Sequence, residues 1–172
     1  MNRFKRNKFN AGTVYFKKEF IINYELVNKS KLTIPVKAAR KEIFKKVIAQ
    51  DWNDEYFEST GAANSIARIL VKNTNIWDGN RFDCANSRFS ELFSDLKKLL
   101  SGQAVSYGDI MLHFASNTSL YGFRSGVFSF ILGFFLLQNK ENILVSYDNA
   151  EVPLSEDIID VLETSPDKYN VS

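Results

Sequence analysis

One stretch of the chain is too apolar to face water. Residues 127–137, with the sequence VFSFILGFFLL, carry no charge and are bounded by Arg124 on one side and by Gln138 and Lys140 on the other. A helix that crosses a bilayer needs about 20 such residues, and this run has about half of them. We therefore predict a buried core helix from about residue 124 to residue 138, and no contact with a membrane.

The composition indicates a folded protein. The chain has 172 residues, of which 45% are hydrophobic, and it holds fifteen Phe and seven Tyr against three Pro. Large aromatic side chains fill packed cores and are scarce in disordered chains. A single cysteine, Cys84, can form neither an internal disulfide nor a zinc site of several thiolates. No apolar export signal follows the basic start of the chain, so we predict a cytoplasmic protein.

The spacing of apolar residues predicts a mainly helical α+β fold with a small β ribbon. The predicted helices cover about residues 15–27, 35–49, 59–72, 87–100, 107–115, 124–138 and 155–164, and the predicted strands lie near 142–147 and 150–153. Between the third and fourth helices the chain is dense in Asn, Asp and Gly, which favour turns. We predict a basic helical subdomain at 1–78, a linker at 79–86 and a second subdomain at 87–172.

The second subdomain has the element order of a winged helix. Three helices followed by a two-stranded ribbon is the order in which that module is built. The third helix would enter DNA in a DNA-binding member, yet here it is rich in Phe, and residues 141–172 carry eight acidic side chains and one Lys. Such a surface repels phosphate. We predict a winged-helix-like module that packs against another domain rather than one that contacts DNA.

The charges are separated along the chain. Residues 1–50 hold 13 basic and 3 acidic side chains, whereas residues 51–172 hold 9 basic and 17 acidic ones. Either the basic part meets an anionic partner such as DNA or RNA, or the two ends of the chain meet each other. The predicted helix 35–49 is expected to have a basic outer surface. The candidate phosphate contacts are Arg3, Lys5, Arg6, Lys8, Lys37, Arg40, Lys41, Lys45 and Lys46.

A short motif precedes the apolar helix and consists of Tyr121, Gly122, Arg124 and Gly126. It resembles a tyrosine, glycine, leucine, arginine, any residue, glycine motif of large prokaryotic P-loop ATPases of phage-defence islands, including the BREX type. Residues 23–48 and 141–171 are similar to the flanking segments in that family. The two prolines that often precede the tyrosine are absent, and those ATPases are far longer. The resemblance implies a regulatory or scaffolding piece from the winged-helix-bearing C-terminal region, not the motor.

Elementary geometry gives the same motif a structural role. Gly122 and Gly126 would allow a sharp entry into the helix and close packing at its start, and Arg124 is suited to bind carbonyl groups or an acidic neighbour. We favour this structural role over a ligand site, and we do not predict that Arg124 is catalytic.

The residue patterns of common enzymes are missing from the sequence. No Gly-Lys pair is present for a P-loop, no glycines have the spacing of a dinucleotide site, and the lone His113 has no spaced acidic or histidine partner. Asp51, Asp54, Glu55 and Glu58 crowd in what we predict to be a polar loop, and a metal-dependent nuclease there is the weakest alternative. We predict no catalytic residue, no cofactor and no metal.

These observations lead to two predictions of function. The first is a non-catalytic interaction or regulatory module of a phage-defence ATPase system, whose partner is an ATPase domain or another protein of that system. The alternative is a nucleic-acid-binding module that uses the basic first 50 residues. The sequence does not decide the oligomeric state.

Overall fold

The computed structural model describes residue 22, residues 24–116, residue 119 and residues 121–172. The helices of this part are α1 (Ile34–Ala49), α2 (Asp54–Glu58), α3 (Ala62–Ala67), α4 (Ser90–Leu100), α5 (Tyr107–Ala115), α6 (Ser125–Gln138) and α7 (Ile158–Leu162). A π-helical turn, Arg68–Lys72, continues α3. The strands are β1 (Val105–Ser106), β2 (Val145–Tyr147), β3 (Ala150–Glu151) and β4 (Tyr169–Val171). The predicted α+β class is confirmed.

Helix α6 is the centre of the hydrophobic core. Every residue of α6 from Gly126 to Leu137 is buried, which confirms the predicted core helix. Helix α1 packs across it, with the ring of Phe44 over Gly133 and edge-on to Phe134 at 5.9 Å between ring centroids. Among the residues that the structure describes, no helix has both the length and the apolar character that a bilayer span needs.

The small sheet has four antiparallel strands in the order β1-β4-β2-β3. The predicted hairpin between β2 and β3 is present, and its turn residues Asp148 and Asn149 have φ values of 48° and 67°, as in the type I′ turns that suit hairpins. Strand β4 lies between β1 and β2, so that Val171 faces both Val105 and Val145. The expected two-stranded ribbon is therefore part of a larger sheet, which the sequence pattern did not indicate.

The segment predicted as a linker, 79–86, contributes side chains to the core. Phe82 and Cys84 are 2% and 3% exposed. The Phe82 ring stacks on Trp52 with 5.5 Å between centroids and meets Phe134 of α6 edge-on. One hydrophobic cluster thus contains residues from both sides of this segment. The division into two subdomains stays a prediction.

Local capping explains where several helices begin. Ser106 accepts a hydrogen bond from the Asp109 N–H at 3.0 Å and so caps the start of α5, which begins at the predicted residue. Helix α4 begins after Phe89, which makes no side-chain cap, so it starts three residues later than the predicted helix at about 87–100. The Ser87 hydroxyl accepts from the Phe89 N–H, within the turn that precedes the helix.

Two other predicted segments differ from the observed ones. Residues 51–58, expected as a loop, contain the short helix α2, because the Asn53 side chain caps it by accepting from the Tyr56 N–H at 2.8 Å. The predicted helix 155–164 is shorter as α7, which follows Asp157 rather than Ser155. The helix predicted at 15–27 lies mostly outside the described residues.

Candidate functional site

The basic helix α1 meets the acidic C-terminal part of the chain. Lys37 Nζ lies 2.9 Å from Asp160 Oδ1 and 2.5 Å from Glu163 Oε2. Arg40 binds the same two carboxylates, with Nη2 2.9 Å from Asp160 Oδ1 and Nη1 3.1 Å from Glu163 Oε1. We call these four residues the charge clasp. For the cations at the start of α1, the structure therefore supports the second explanation of the separated charges, contact between basic and acidic parts of the same chain.

Arg40 lies inside the molecule rather than on the outer surface of α1, so that part of the prediction is wrong. It is 1% exposed, and its Nη1 donates a hydrogen bond to Ser129 Oγ of α6 at 2.7 Å. Position 40 lies one turn after Val36 and one turn before Ile43, which places it beside the buried stripe of α1. A buried guanidinium needs a counter-charge and hydrogen-bond acceptors, and the clasp and Ser129 supply both.

The other predicted contacts on α1 differ in exposure. Lys41 pairs with Asp157 at 2.7 Å. Lys46 pairs with Asp51 at 2.8 Å. Lys45 has its nearest carboxylate at 4.0 Å and its side chain is 61% exposed, so it is the most accessible cation of this face. The remaining candidates, Arg3, Lys5, Arg6 and Lys8, lie outside the described residues.

The carboxylates of the charge clasp raise the pKa of Lys37. The hydrogen bond to Glu163 is the largest cause that raises the pKa of Lys37, and Asp160 acts in the same direction against a partial opposing effect of burial. A hydrogen bond to Asp157 likewise raises the pKa of Lys41. Both ammonium groups are therefore charged at neutral pH, and a phosphate group would have to compete with carboxylates already bound to them.

The two glycines of the family-like motif have structural roles. Gly122 has a φ of 64°, in the left-handed region that favours glycine. Gly126, at the start of α6, donates its N–H to the carbonyl oxygen of Lys29 at 2.8 Å. A Cβ atom at position 126 would lie 2.5 Å from the Val27 oxygen and 2.6 Å from the Lys29 oxygen. The prediction of a sharp entry and close packing is confirmed.

The other two residues of the motif differ from each other. Tyr121 is 3% exposed and donates its hydroxyl to Asp95 of α4, which ties the entry of α6 to a neighbouring helix. Arg124 is exposed, and within the part of the chain that the structure describes its side chain forms no hydrogen bond or ion pair. The expected contact between Arg124 and carbonyl groups or an acidic neighbour is therefore not observed.

The acidic cluster at 51–58 is partly neutralised by the chain itself. Lys72 Nζ lies 3.1 Å from Asp54 and 3.0 Å from Glu58. Among the described residues, no three His, Cys, Asp or Glu side chains are grouped so that they could hold a metal ion. Trp52 is 6% exposed and stacks on the buried Phe57, so these two rings of the segment pack inward.

The single histidine and the single cysteine of the chain do not form a reactive centre with each other. His113 is exposed on α5 and contacts the ring of Phe114. Cys84 is buried, and burial together with the nearby Asp83 carboxylate raises the pKa of its thiol well above the ordinary value. A thiol in such a place is inert, because the thiolate is the reactive form.

The chain was compared with models of protein families, with curated proteins and with solved structures, and none of them matches it. The resemblance to phage-defence ATPases therefore stays a prediction.

Proposed function

We propose that this chain is a non-catalytic interaction module of a phage-defence-associated P-loop ATPase system. The exposure of Arg124 carries the proposal. Tyr121, Gly122 and Gly126 of the family-like motif are needed by the fold, whereas Arg124 has no partner among the described residues. An exposed arginine at a helix start is well suited to bind a carboxylate of another protein through two parallel hydrogen bonds.

The second half of the chain is proposed to act as a winged-helix-like packing module. The order α4, α5, α6 and then the β2–β3 hairpin supports this arrangement, with β4 as an additional strand. Glu141, Asp148, Glu151 and Asp167 are all exposed in the region that would form the wing. An acidic wing favours contact with protein over contact with a phosphate backbone.

The nucleic-acid alternative is less well supported by the geometry. Three of its candidate contacts, Lys37, Arg40 and Lys41, are paired with carboxylates of the same chain. Binding of nucleic acid depends on cations that are free to replace the counterions of phosphate. On α1, Lys45 is the cation that best meets this requirement.

Co-purification tests the proposed function. A tagged chain is expressed together with a P-loop ATPase of a BREX-type island, and wild type is compared with Arg124→Ala and with Arg88→Ala, which removes another exposed arginine. We expect wild type and the Arg88 variant to retain the ATPase and the Arg124 variant to retain at least about fivefold less of it, the effect of losing about 1 kcal/mol. Absence of the ATPase from the wild-type sample, or equal retention by both variants, would contradict the proposal.

A further inference from the structure

A groove opens where the start of α1, one side of α5 and the start of α6 meet. It encloses a cavity of about 320 Å³. Its walls include Lys31, Leu32, Lys37, Met111, Ser125 and Glu163. Binding pockets commonly have volumes of about 300 to 1,000 Å³, so this one has room for a single large side chain and its neighbours rather than for a dinucleotide.

Exposed apolar side chains flank the groove. Ile34 is 85% exposed and lies one turn before the lining residue Lys37 on α1. Leu112 is 66% exposed and lies on α5 one turn after Gly108, where an added Cβ would lie 3.6 Å from the backbone of the lining residue Pro166. Only Leu144 joins these two among the large hydrophobic residues that are exposed in the described part of the chain. Apolar groups next to a concave surface are typical of sites that another protein covers.

At the groove lining or next to it in sequence, the charges without an ion pair among the described residues include at least two cations and a single carboxylate. That carboxylate belongs to Asp167, which follows the lining residue Pro166, so the balance is positive. Lys31 lines the groove, is exposed and has no ion pair among the described residues. Arg124, equally unpaired there, directly precedes the lining residue Ser125. The Glu163 carboxylate at the wall is already held by Lys37 and Arg40 of the clasp. An occupant that matches this surface therefore brings a negative charge.

We infer that the groove binds a segment of a partner protein in which one large apolar side chain lies next to a carboxylate. The apolar side chain packs against Leu32 and Met111, and the flexible methionine adapts to its shape. The carboxylate pairs with Lys31 and Arg124. This inference rests on the proposed function, since it names the surface and the partner chemistry of the same interaction module.

A peptide selection tests the inference. A random peptide library displayed on phage is selected on the wild-type chain, and enriched peptides are then synthesised and titrated by fluorescence anisotropy. We expect peptides with a large apolar residue within about two positions of Asp or Glu, the spacing over which neighbouring side chains of an extended segment reach one site. Their affinity should fall at least about tenfold for Leu112→Glu and for Lys31→Glu, a change of about 1.4 kcal/mol in each case.

Leu144→Glu is the matched control. It places the same charge at another exposed apolar position, away from the groove lining. Thermal unfolding of each variant shows that it is folded before it is titrated. The inference is overturned if no peptide is enriched, if the enriched peptides lack an acidic residue, or if Leu112→Glu and Leu144→Glu weaken binding equally.

The experiments also distinguish a partner peptide from other occupants of the groove. If sedimentation shows a wild-type dimer that Leu112→Glu dissociates, a second copy fills the groove and the inference is wrong. If the peptide selection fails but the chain retains the ATPase, and this retention depends on Arg124, the inference is wrong and the proposed function stands. If peptides bind the groove but the chain does not retain the ATPase, the proposed function is wrong and the groove remains a peptide-binding site.

Discussion

Removal of the two clasp carboxylates should destabilise the fold, because it leaves a charge buried without a partner. In the wild-type chain Arg40 is 1% exposed, and the variant Asp160→Asn with Glu163→Gln leaves its guanidinium with neutral acceptors only, namely the Ser129 hydroxyl and the two new amide oxygens, and with no counter-charge. Breaking a buried ion pair on one side costs about 3–5 kcal/mol. The two carboxylates are 34% and 31% exposed, so water can reach part of the site. We expect a loss of about 3 kcal/mol in the free energy of unfolding.

Adding Arg40→Met to the same variant should restore stability, because methionine has a similar length and carries no charge that needs a counter-charge. We expect the triple variant to be more stable than the double variant by at least about 1.5 kcal/mol. Urea unfolding followed by circular dichroism at pH 7 measures all three proteins. Glu141→Gln with Glu151→Gln changes the net charge equally at exposed positions and should shift stability by no more than about 0.5 kcal/mol.

Two unfolding results would contradict the role of the clasp carboxylates as counter-charges of Arg40. A double variant that loses less than about 1 kcal/mol would mean that water, rather than the clasp, compensates the charge of Arg40. A triple variant no more stable than the double one would mean that Asp160 and Glu163 act through something other than that charge. A changed dependence of the unfolding free energy on urea concentration would indicate an altered unfolded state and would invalidate the comparison.

The raised pKa of Lys37 means that its contribution to stability is complete below the ordinary lysine pKa of about 10.4 and is lost as the pH rises through the raised value. The urea midpoint should therefore fall as the pH rises above that ordinary value, and less steeply in Lys37→Met. Gly126→Ala should cost about 2 kcal/mol or more because the new Cβ meets two backbone oxygens, whereas Gly102→Ala, where the Cβ meets nothing within 4 Å, should change stability by no more than about 0.5 kcal/mol. In a duplex DNA titration, Lys41→Ala with Lys45→Ala should leave the salt dependence of any binding unchanged, and a slope reduced by about two would instead support a nucleic-acid module.

The long helices could be predicted from the sequence because each carries its own signal. Helices α1, α4, α5 and α6 have apolar spacing, capping residues or both, and their predicted bounds agree with the observed ones within a few residues. Strands β1 and β4 have two and three residues. Strands β2 and β3 are equally short but are joined by the Asp148–Asn149 turn, whereas β1 and β4 pair with strands distant in sequence, so only their pairing in the folded molecule defines them.

The clasp could be predicted only in outline. The separated charges gave contact between basic and acidic parts of the chain as one of two explanations. Lys37 and Asp160 are 123 positions apart, however, and no local pattern predicts which cation pairs with which acid. Arg40 is the clearest example. Its charge suggests the surface, and it is buried because Ser129 on α6 and two carboxylates happen to complete its hydrogen bonds there.

The ion pairs within the chain reduce the number of free cations that a binding partner contacts. A formal net charge of +2 with a strongly basic first part suggests a surface for polyanions, yet the cations of α1 that lie nearest α7 are bound to carboxylates of the same molecule. The cations left unpaired beside the groove, Lys31 and Arg124, are few, and apolar side chains stand next to them. Few free cations give weak attraction to nucleic acid, because that attraction grows with the number of phosphates neutralised. The same two cations beside an apolar groove suffice for one carboxylate of a protein segment, where specificity comes from shape and from a single charged contact.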